Sequence, residues 1–141
     1  NGTLTLSGTT TIVYTPDADF CGVDTFTYRA RDTFGPSASN TATGTLTVSC
    51  VNDAPVALND LQTATGTEDI NLTIFVTAND TDIDNTITSI TGLTQPSTGG
   101  TLSITGTTNV LYVPTSNYCT STPLTFTYRA VDASGSRSEI A

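Results

Sequence analysis

The chain contains no His, Lys, Met or Trp, and the first two absences remove whole classes of chemistry. Without His, neither a Ser–His nor a Cys–His nucleophile can be assembled. Without Lys, no Schiff base can form with a carbonyl substrate. The 4 cations are all arginines and face 13 carboxylates, so the net charge is −9. Without these nucleophiles and Schiff bases, we expect no catalysis. Because binding to nucleic acids or to anionic membranes needs clustered positive charge, we also expect no nucleic-acid partner.

Long apolar segments and phosphate-binding loops are missing as well. No apolar run is long enough to span a bilayer or resembles a signal peptide, so we expect no direct membrane insertion. No glycine-rich loop lies between a strand and a helix, which argues against nucleotide binding. Because a strand-like pattern already begins at Asn1, we expect these residues to be a segment of a longer protein.

The residues that are present favour β-structure. Thr, Ser, Gly, Asn and Val are abundant, and long runs of helical periodicity are absent, which predicts an all-β protein. Apolar and polar residues alternate, as at Leu4 and Leu6 and again at Phe26 and Tyr28. This period of two is typical of strands with one buried face.

An internal repeat sets the domain organisation. Three stretches recur in the same order: residues 2–10 as 100–108, 13–16 as 111–114, and 25–32 as 125–132. A tandem repeat of roughly 100 residues is the usual size of an Ig-like antiparallel β-sandwich. We therefore expect residues 1–50 to be the C-terminal half of one sandwich, and residues 51–141 to be a second repeat lacking most of its last strand.

Turn residues divide each repeat into strands, which we letter as in Ig-like sandwiches. Residues 1–50 hold strands D to G, centred on Leu4, Ile12, Phe26 and Leu46. For the second repeat we expect A at 56–65, B at 70–76, C within 86–94, D at 100–105, E at 109–113, F at 124–131, and the start of G at 136–141. Tyr28 and Tyr128 are either the tyrosine corners of such sandwiches or ordinary core tyrosines.

Residues 50–57 form the joint between the two repeats. Pro55 fixes its own backbone and holds Ala54 extended, so the joint should be stiff. Asn52 and Asp53 place side-chain oxygens within it.

Three motifs carry a resemblance that covers nearly the whole chain. They are the Gly-x-Asp-x-Phe-x-Tyr run at 22–28, the Asn-Asp-Ala-Pro joint at 52–55, and the Asn-Asp-x-Asp-x-Asp loop at 79–84. In this order they resemble cadherin-like repeats, and more closely the tandem-95 repeats of large bacterial surface adhesins, including those of gliding bacteria. The second repeat departs from the pattern at 120–123, where Gly-x-Asp is missing. The resemblance implies an extracellular, cell-surface, calcium-binding and non-enzymatic role.

Carboxylates concentrate where such a repeat would bind Ca²⁺, which takes six to eight oxygen ligands. In a sandwich, the B–C and F–G loops lie at the end that carries the joint, and the E–F loop of the preceding repeat approaches from the other side. The expected ligands are Asp24 from the first repeat, Asn52 and Asp53 from the joint, Asp80, Asp82 and Asp84 from the B–C loop, and Asp132 from the F–G loop. The alternative is that these residues only form turns and cap their own loops.

The repeat explains why the number of cysteines is odd. Cys21, in the E–F loop, and Cys50, at the end of strand G, lie at the same end of the first sandwich, so we expect them to form a disulfide in an oxidising compartment. Cys119 matches Cys21, and its partner would end a strand beyond Ala141. Free thiols, or a bond between chains, are the alternatives.

Two functions remain open at this point. In the first, the repeats form a calcium-stiffened stalk or filament of an adhesin, with adjacent repeats of the same polypeptide as partners and any host, surface or glycan ligand bound elsewhere in the protein. In the second, the repeats themselves bind a carbohydrate or a protein through loops or an exposed sheet edge. Strand exchange between neighbouring chains is a third way in which the incomplete sandwiches could be completed.

Overall fold

The computed structural model describes residues 1–34, 39–60 and 65–141. Within these ranges the chain forms nine β-strands and no helix. The strands are β1 (Gly2–Ser7), β2 (Thr11–Pro16), β3 (Gly22–Tyr28), β4 (Ala42–Val48), β5 (Leu72–Ile74), β6 (Ile87–Thr91), β7 (Gly100–Thr105), β8 (Asn109–Pro114) and β9 (Arg129–Asp132). Because none of the described residues is helical, none belongs to a helix that could cross a membrane. The chain divides into two compact units, Asn1–Val51 and Asn52–Ala141.

The first unit consists of two antiparallel hairpins. Strands β1 and β2 pair from Gly2↔Pro16 to Ser7↔Thr11, and Gly8 takes the positive φ of 72° that the turn between them requires. Strands β3 and β4 pair from Gly22↔Val48 to Tyr28↔Ala42. In both strands half-buried residues alternate with exposed ones, as the period of two predicts.

A disulfide between Cys21 and Cys50 ties the start of β3 to the end of β4, which confirms the predicted pairing. The Cα atoms are 4.8 Å apart, within the range that an ordinary disulfide spans. None of the described side chains of this unit is fully buried, so its apolar packing is weak. Closing a loop with a sequence separation of 29 residues contributes about 3–4 kcal/mol in the chain-entropy account.

The second unit has the two sheets of an Ig-like sandwich. One sheet has the order β5–β8–β7, and the other pairs β6 with β9. Five side chains form the core between them: Val76, Ile90, Leu102, Val110 and Tyr128. Val110 and Leu102 come from neighbouring strands of the first sheet, while Ile90 comes from the second. The all-β, Ig-like fold class is therefore confirmed.

Three predicted strands of the second unit differ from the structure. Residues 61–64 of strand A lie outside the described residues, and the remainder shows only the bridge Val56↔Thr81. Strand F begins at Arg129 rather than at 124, because the Thr127 N–H bonds to the Thr94 hydroxyl at 2.8 Å and so leaves the regular ladder. Residues 136–141 form no named strand, and their backbone bonds go to residues 128–132, in and beside β9.

Tyr128 is a core tyrosine and not a tyrosine corner. Its hydroxyl donates to the carbonyl of Val76, which lies 52 residues upstream and two residues after β5 ends. A tyrosine corner instead bonds to backbone only a few residues upstream. Tyr28, the equivalent residue of the first unit, is 46% exposed.

Candidate functional site

Asn52 is the centre of a polar network at one end of the second unit. Its amide nitrogen lies 2.8 Å from Asp132 Oδ2 and 3.0 Å from Ser136 Oγ. Its amide oxygen accepts a hydrogen bond from Asn85, whose nitrogen also lies 3.2 Å from Ser134 Oγ. The start of the joint is therefore held to the loop before β6 and to the loop after β9.

Asp132 organises the loop that follows β9. The carboxylate is buried, with only 2% of the residue exposed, and its Oδ1 accepts the backbone N–H groups of Ser134 at 2.8 Å and Ser136 at 2.7 Å. The Asn52 hydrogen bond, together with these N–H groups, holds the pKa of Asp132 below its ordinary value against the opposing effect of burial. Asp132 is therefore ionised, and protein N–H groups already satisfy its carboxylate by hydrogen bonds.

One of the two carboxylate oxygens of Asp82 has no hydrogen-bond donor among the described residues. Its Oδ1 accepts the N–H groups of Asn85 at 2.7 Å and Asp84 at 3.2 Å, which shapes the loop. Its Oδ2 is buried, and no donor among the described residues reaches it. A buried carboxylate oxygen without a partner is costly. The Asp53 N–H bonds to Asp84 Oδ2 at 3.2 Å, so the joint also contacts this loop.

Asp80 is engaged away from this network. Its Oδ1 accepts the Leu58 N–H at 2.8 Å, and its Oδ2 lies 3.0 Å from the Tyr128 hydroxyl. Burial, together with the nearby Asp80 charge, raises the pKa of Asp60 to about 6. Asp80 thus anchors the segment after the joint to the core, and its hydrogen-bonding capacity is largely taken.

Asp24 lies in β3 and not in the loop before it, which corrects the sequence-based placement. Its Oδ2 accepts the Tyr14 hydroxyl at 2.8 Å. The bond from Tyr14 is the main cause that lowers the pKa of Asp24, while burial followed by this bond raises the pKa of Tyr14 to about 12. The role of Asp24 as a calcium ligand stays a prediction.

The structure brings together part of the expected ligand set. Asn52, Asp53, Asp84 and Asp132 are connected by hydrogen bonds, and Asp82 belongs to the same loop as Asp84. Across residues 1–34, 39–60 and 65–141, no group of three or more His, Cys, Asp or Glu side chains is arranged to hold a metal ion. Only Asp82 Oδ2 is a buried side-chain acceptor without a partner in those ranges.

Sequence reasoning missed three members of the network. Asn85, Ser134 and Ser136 connect the two loops to Asn52. The available signal was weak: Asn85 directly follows the acidic motif, and the two serines flank Gly135 in a turn.

Comparison with known families gives one match, to the family described as a bacterial Ig domain, over residues 1–49 and again over 52–141. Comparison with curated proteins and with solved structures gives no significant match. Domains of this family are typically non-catalytic and often extracellular, and the Cys21–Cys50 disulfide fits an oxidising compartment. Because the two matches cover nearly every residue, the chain belongs to the bacterial Ig domain family.

Proposed function

We propose that this chain is a structural segment of an extracellular bacterial surface adhesin of the tandem-95 type, in which consecutive Ig domains form a stalk stiffened by disulfides and by Ca²⁺. The main support for the proposal is that the family matches the chain twice in tandem. Only residues 50 and 51 lie between the two matches. Domains repeated at this spacing extend a chain without adding a catalytic site. The partners of each repeat are its neighbours in the same polypeptide, and an adhesive ligand binds elsewhere.

The attachment of the joint supports a stiff stalk. Asn52 and Asp53 are hydrogen-bonded to loops of the second unit. Val56 then exchanges two backbone hydrogen bonds with Thr81, at 2.8 and 3.0 Å. Pro55, which directly precedes Val56, is buried. A segment held at each of these points has few free backbone torsions. From Asn52 onwards the joint therefore behaves as part of the second unit.

Calcium binding rests on the unpartnered Asp82 Oδ2. Asp53 and Asp84 belong to the same end of the unit, and Asn52 adds an amide oxygen. A bound Ca²⁺ would neutralise these carboxylates, because it prefers oxygen ligands of this kind. Asp132 and Asp80 would support the site from their protein hydrogen bonds, and any contribution from Asp24 belongs to the same proposal.

Calcium titration of the whole chain tests the cation. We expect the thermal midpoint to rise with CaCl₂ and to fall back with a chelator, and we expect Asp82→Asn to abolish the rise. Glu68→Gln, at an exposed carboxylate of the loop before β5, is the matched control and should retain it. An unchanged midpoint in the unsubstituted chain would remove calcium from the proposal.

Small-angle scattering and a glycan array test the stalk. We expect a narrower distribution of interatomic distances with Ca²⁺ than with chelator, and no specific glycan capture. Specific capture that is lost on substitution of a loop residue would instead identify a carbohydrate-binding module.

A further inference from the structure

Strand β7 is the outermost strand of its sheet among the described residues. The sheet has the order β5–β8–β7, so β8 pairs with one side of β7 and no named strand pairs with the other. Backbone groups along such a free side can bond to a strand of another chain. Proteins commonly prevent this with charged residues, especially Lys, or with Pro on the edge strand. β7 contains no charged residue and no Pro, and the whole chain has no Lys.

The side chain of Gln95 occupies the middle of this free side. Its Oε1 accepts the N–H of Leu102 at 2.7 Å, and its Nε2 donates to the carbonyl of Leu102 at 2.8 Å. Two residues of a hydrogen-bonded antiparallel pair exchange the same two bonds, one N–H to a carbonyl in each direction. A single planar amide therefore bonds to β7 as a residue of a neighbouring strand would, and the pairing ends there.

The register of β7 and β8 makes Leu102 the central position of the free side. The backbone groups of Leu102 face Gln95, so by antiparallel alternation its two neighbours in β7 are the residues that bond to β8. Gly100 and Ile104 then face the free side as Leu102 does, and neither bonds to a described residue there. An added strand would pair with these three residues, and Gln95 occupies the middle one.

The backbone on both sides of Gln95 is fixed. Thr94 donates its N–H to the carbonyl of Thr127 at 2.9 Å, and the Thr94 hydroxyl accepts the Thr127 N–H at 2.8 Å. Pro96 follows Gln95, and a residue that precedes Pro is restricted to extended backbone. The amide of Gln95 therefore reaches Leu102 from a segment that is already in place, which lowers the entropy cost of forming the two bonds.

The tandem repeat makes an open edge at this position a hazard. Strand β1 of the first unit has the sequence Gly-Thr-Leu-Thr-Leu-Ser, and β7 has Gly-Thr-Leu-Ser-Ile-Thr. Six-residue segments that are rich in β-formers, uncharged and without Pro are prone to pair with one another. Consecutive repeats of one polypeptide meet at high effective concentration, and wrong pairing between them is a characteristic failure of repeat proteins.

We propose that the side chain of Gln95 closes the edge of β7 to strand addition, and that without it the β7 strands of two chains pair edge to edge. The two strands pair antiparallel around a two-fold axis, with Leu102 of one chain opposite Leu102 of the other. Each Leu102 then exchanges with the second chain the two bonds that it otherwise makes with Gln95. The β7 edge is thus an interaction surface that the chain itself keeps closed.

Hydrogen exchange tests the contact directly. Leu102 and Ile104 face the same free side of β7, but only the Leu102 N–H has an acceptor there among the described residues. After correction for intrinsic rates, we expect the Leu102 amide to exchange about fivefold more slowly than the Ile104 amide, or slower still, which is the factor for one net hydrogen bond.

Gln95→Met keeps the length of the side chain and removes both bonds. At a dilution that keeps the variant monomeric, the Leu102 amide should lose its protection while the Ile104 amide exchanges as before. A Leu102 rate that the substitution leaves unchanged would overturn the proposal.

Sedimentation velocity over a range of concentrations tests strand addition. We expect Gln95→Met to form a dimer, and to associate at least roughly tenfold more tightly than the unsubstituted chain. Ser97→Met is the matched control, because it places the same apolar side chain two residues away and leaves Gln95 intact. It should associate no more tightly than the unsubstituted chain. Equal association of Gln95→Met and either of these chains would overturn the proposal.

Proline substitutions locate the paired edge. Pro has no N–H and is tolerated in a strand where that group faces away from the ladder, as it does at Ile104. Gln95→Met/Ile104→Pro should therefore return to the weak association of the unsubstituted chain, with the β8 amides still protected as evidence that it is folded. A dimer that survives Ile104→Pro would overturn pairing through β7.

The same substitution in the first unit identifies the partner strand. Leu6 is the repeat equivalent of Ile104 and lies in β1, which resembles β7 in sequence. Gln95→Met/Leu6→Pro should still form the dimer, because the proposed partner is a second β7. Loss of the dimer in this variant would overturn that choice in favour of β1.

Discussion

Asn52 and Asp132 are 80 residues apart in sequence, and a 2.8 Å hydrogen bond joins their side chains. This bond attaches the joint to the loop after β9, and it is also the main cause that lowers the pKa of Asp132. We expect Asn52→Ala to lower the free energy of unfolding of the second unit by about 1–2 kcal/mol, as measured by urea denaturation. Asn71→Ala, an exposed residue before β5, should have little effect.

The same substitution should change the response to acid. Because the folded-state pKa of Asp132 is lowered, its ionised form stabilises the fold above the ordinary carboxyl pKa, and this contribution is lost as the pH falls through the folded value. Asn52→Ala removes the main cause of the shift, so acid unfolding should begin at a higher pH. An unchanged acid midpoint would show that the backbone donors alone hold the charge.

Asp60 should show the opposite dependence. Its pKa is raised to about 6 in the fold by burial and by Asp80. Ionisation therefore opposes folding as the pH rises from the ordinary carboxyl value through about 6. We expect Asp60→Asn to be more stable than the unsubstituted chain at pH 7 and close to it at low pH, as measured by thermal midpoints across that range. Glu139→Gln, at an exposed carboxylate of the same unit, should not reproduce this pattern.

Tyr128→Phe separates the hydroxyl of the core tyrosine from its ring. The substitution removes the bonds to the Val76 carbonyl and to Asp80 and leaves a buried carbonyl without its donor. We expect a loss of about 1–3 kcal/mol in unfolding free energy. Tyr28→Phe is the equivalent change in the first unit, where the residue is 46% exposed, and it should cost much less. Equal losses would contradict the assignment of the hydroxyl bonds.

Reduction of the disulfide should act on the first unit alone. None of its described side chains is fully buried, so the roughly 3–4 kcal/mol from the bond is a large share of its stability. We expect the β3 and β4 amides to exchange their hydrogens much faster in Cys21→Ser/Cys50→Ser, while the amides of β7 and β8 keep their protection. Cys119→Ser should leave both sets unchanged.

The sequence predicted best where a strand has both an alternating pattern and a bounding Gly or Pro. Strand β7 begins at Gly100 and β8 ends at Pro114, and both lie within a residue of the prediction. Strand β9 was placed less well, because Thr127 pairs with the Thr94 side chain and no local pattern encodes that choice. Asp80 and Asp82 belong to the same acidic motif, and the sequence does not distinguish them. Only the folded structure shows that Leu58 and Tyr128 donate hydrogen bonds to the carboxylate oxygens of Asp80.

The Cys21–Cys50 bond has a mechanical consequence. A pull applied through the two ends of the first unit passes directly from one sulfur to the other, so the β3–β4 hairpin carries no tension. The 29-residue separation between the cysteines corresponds to about 100 Å of extended chain. That length stays locked even when the unit unfolds, and only a reducing agent releases it.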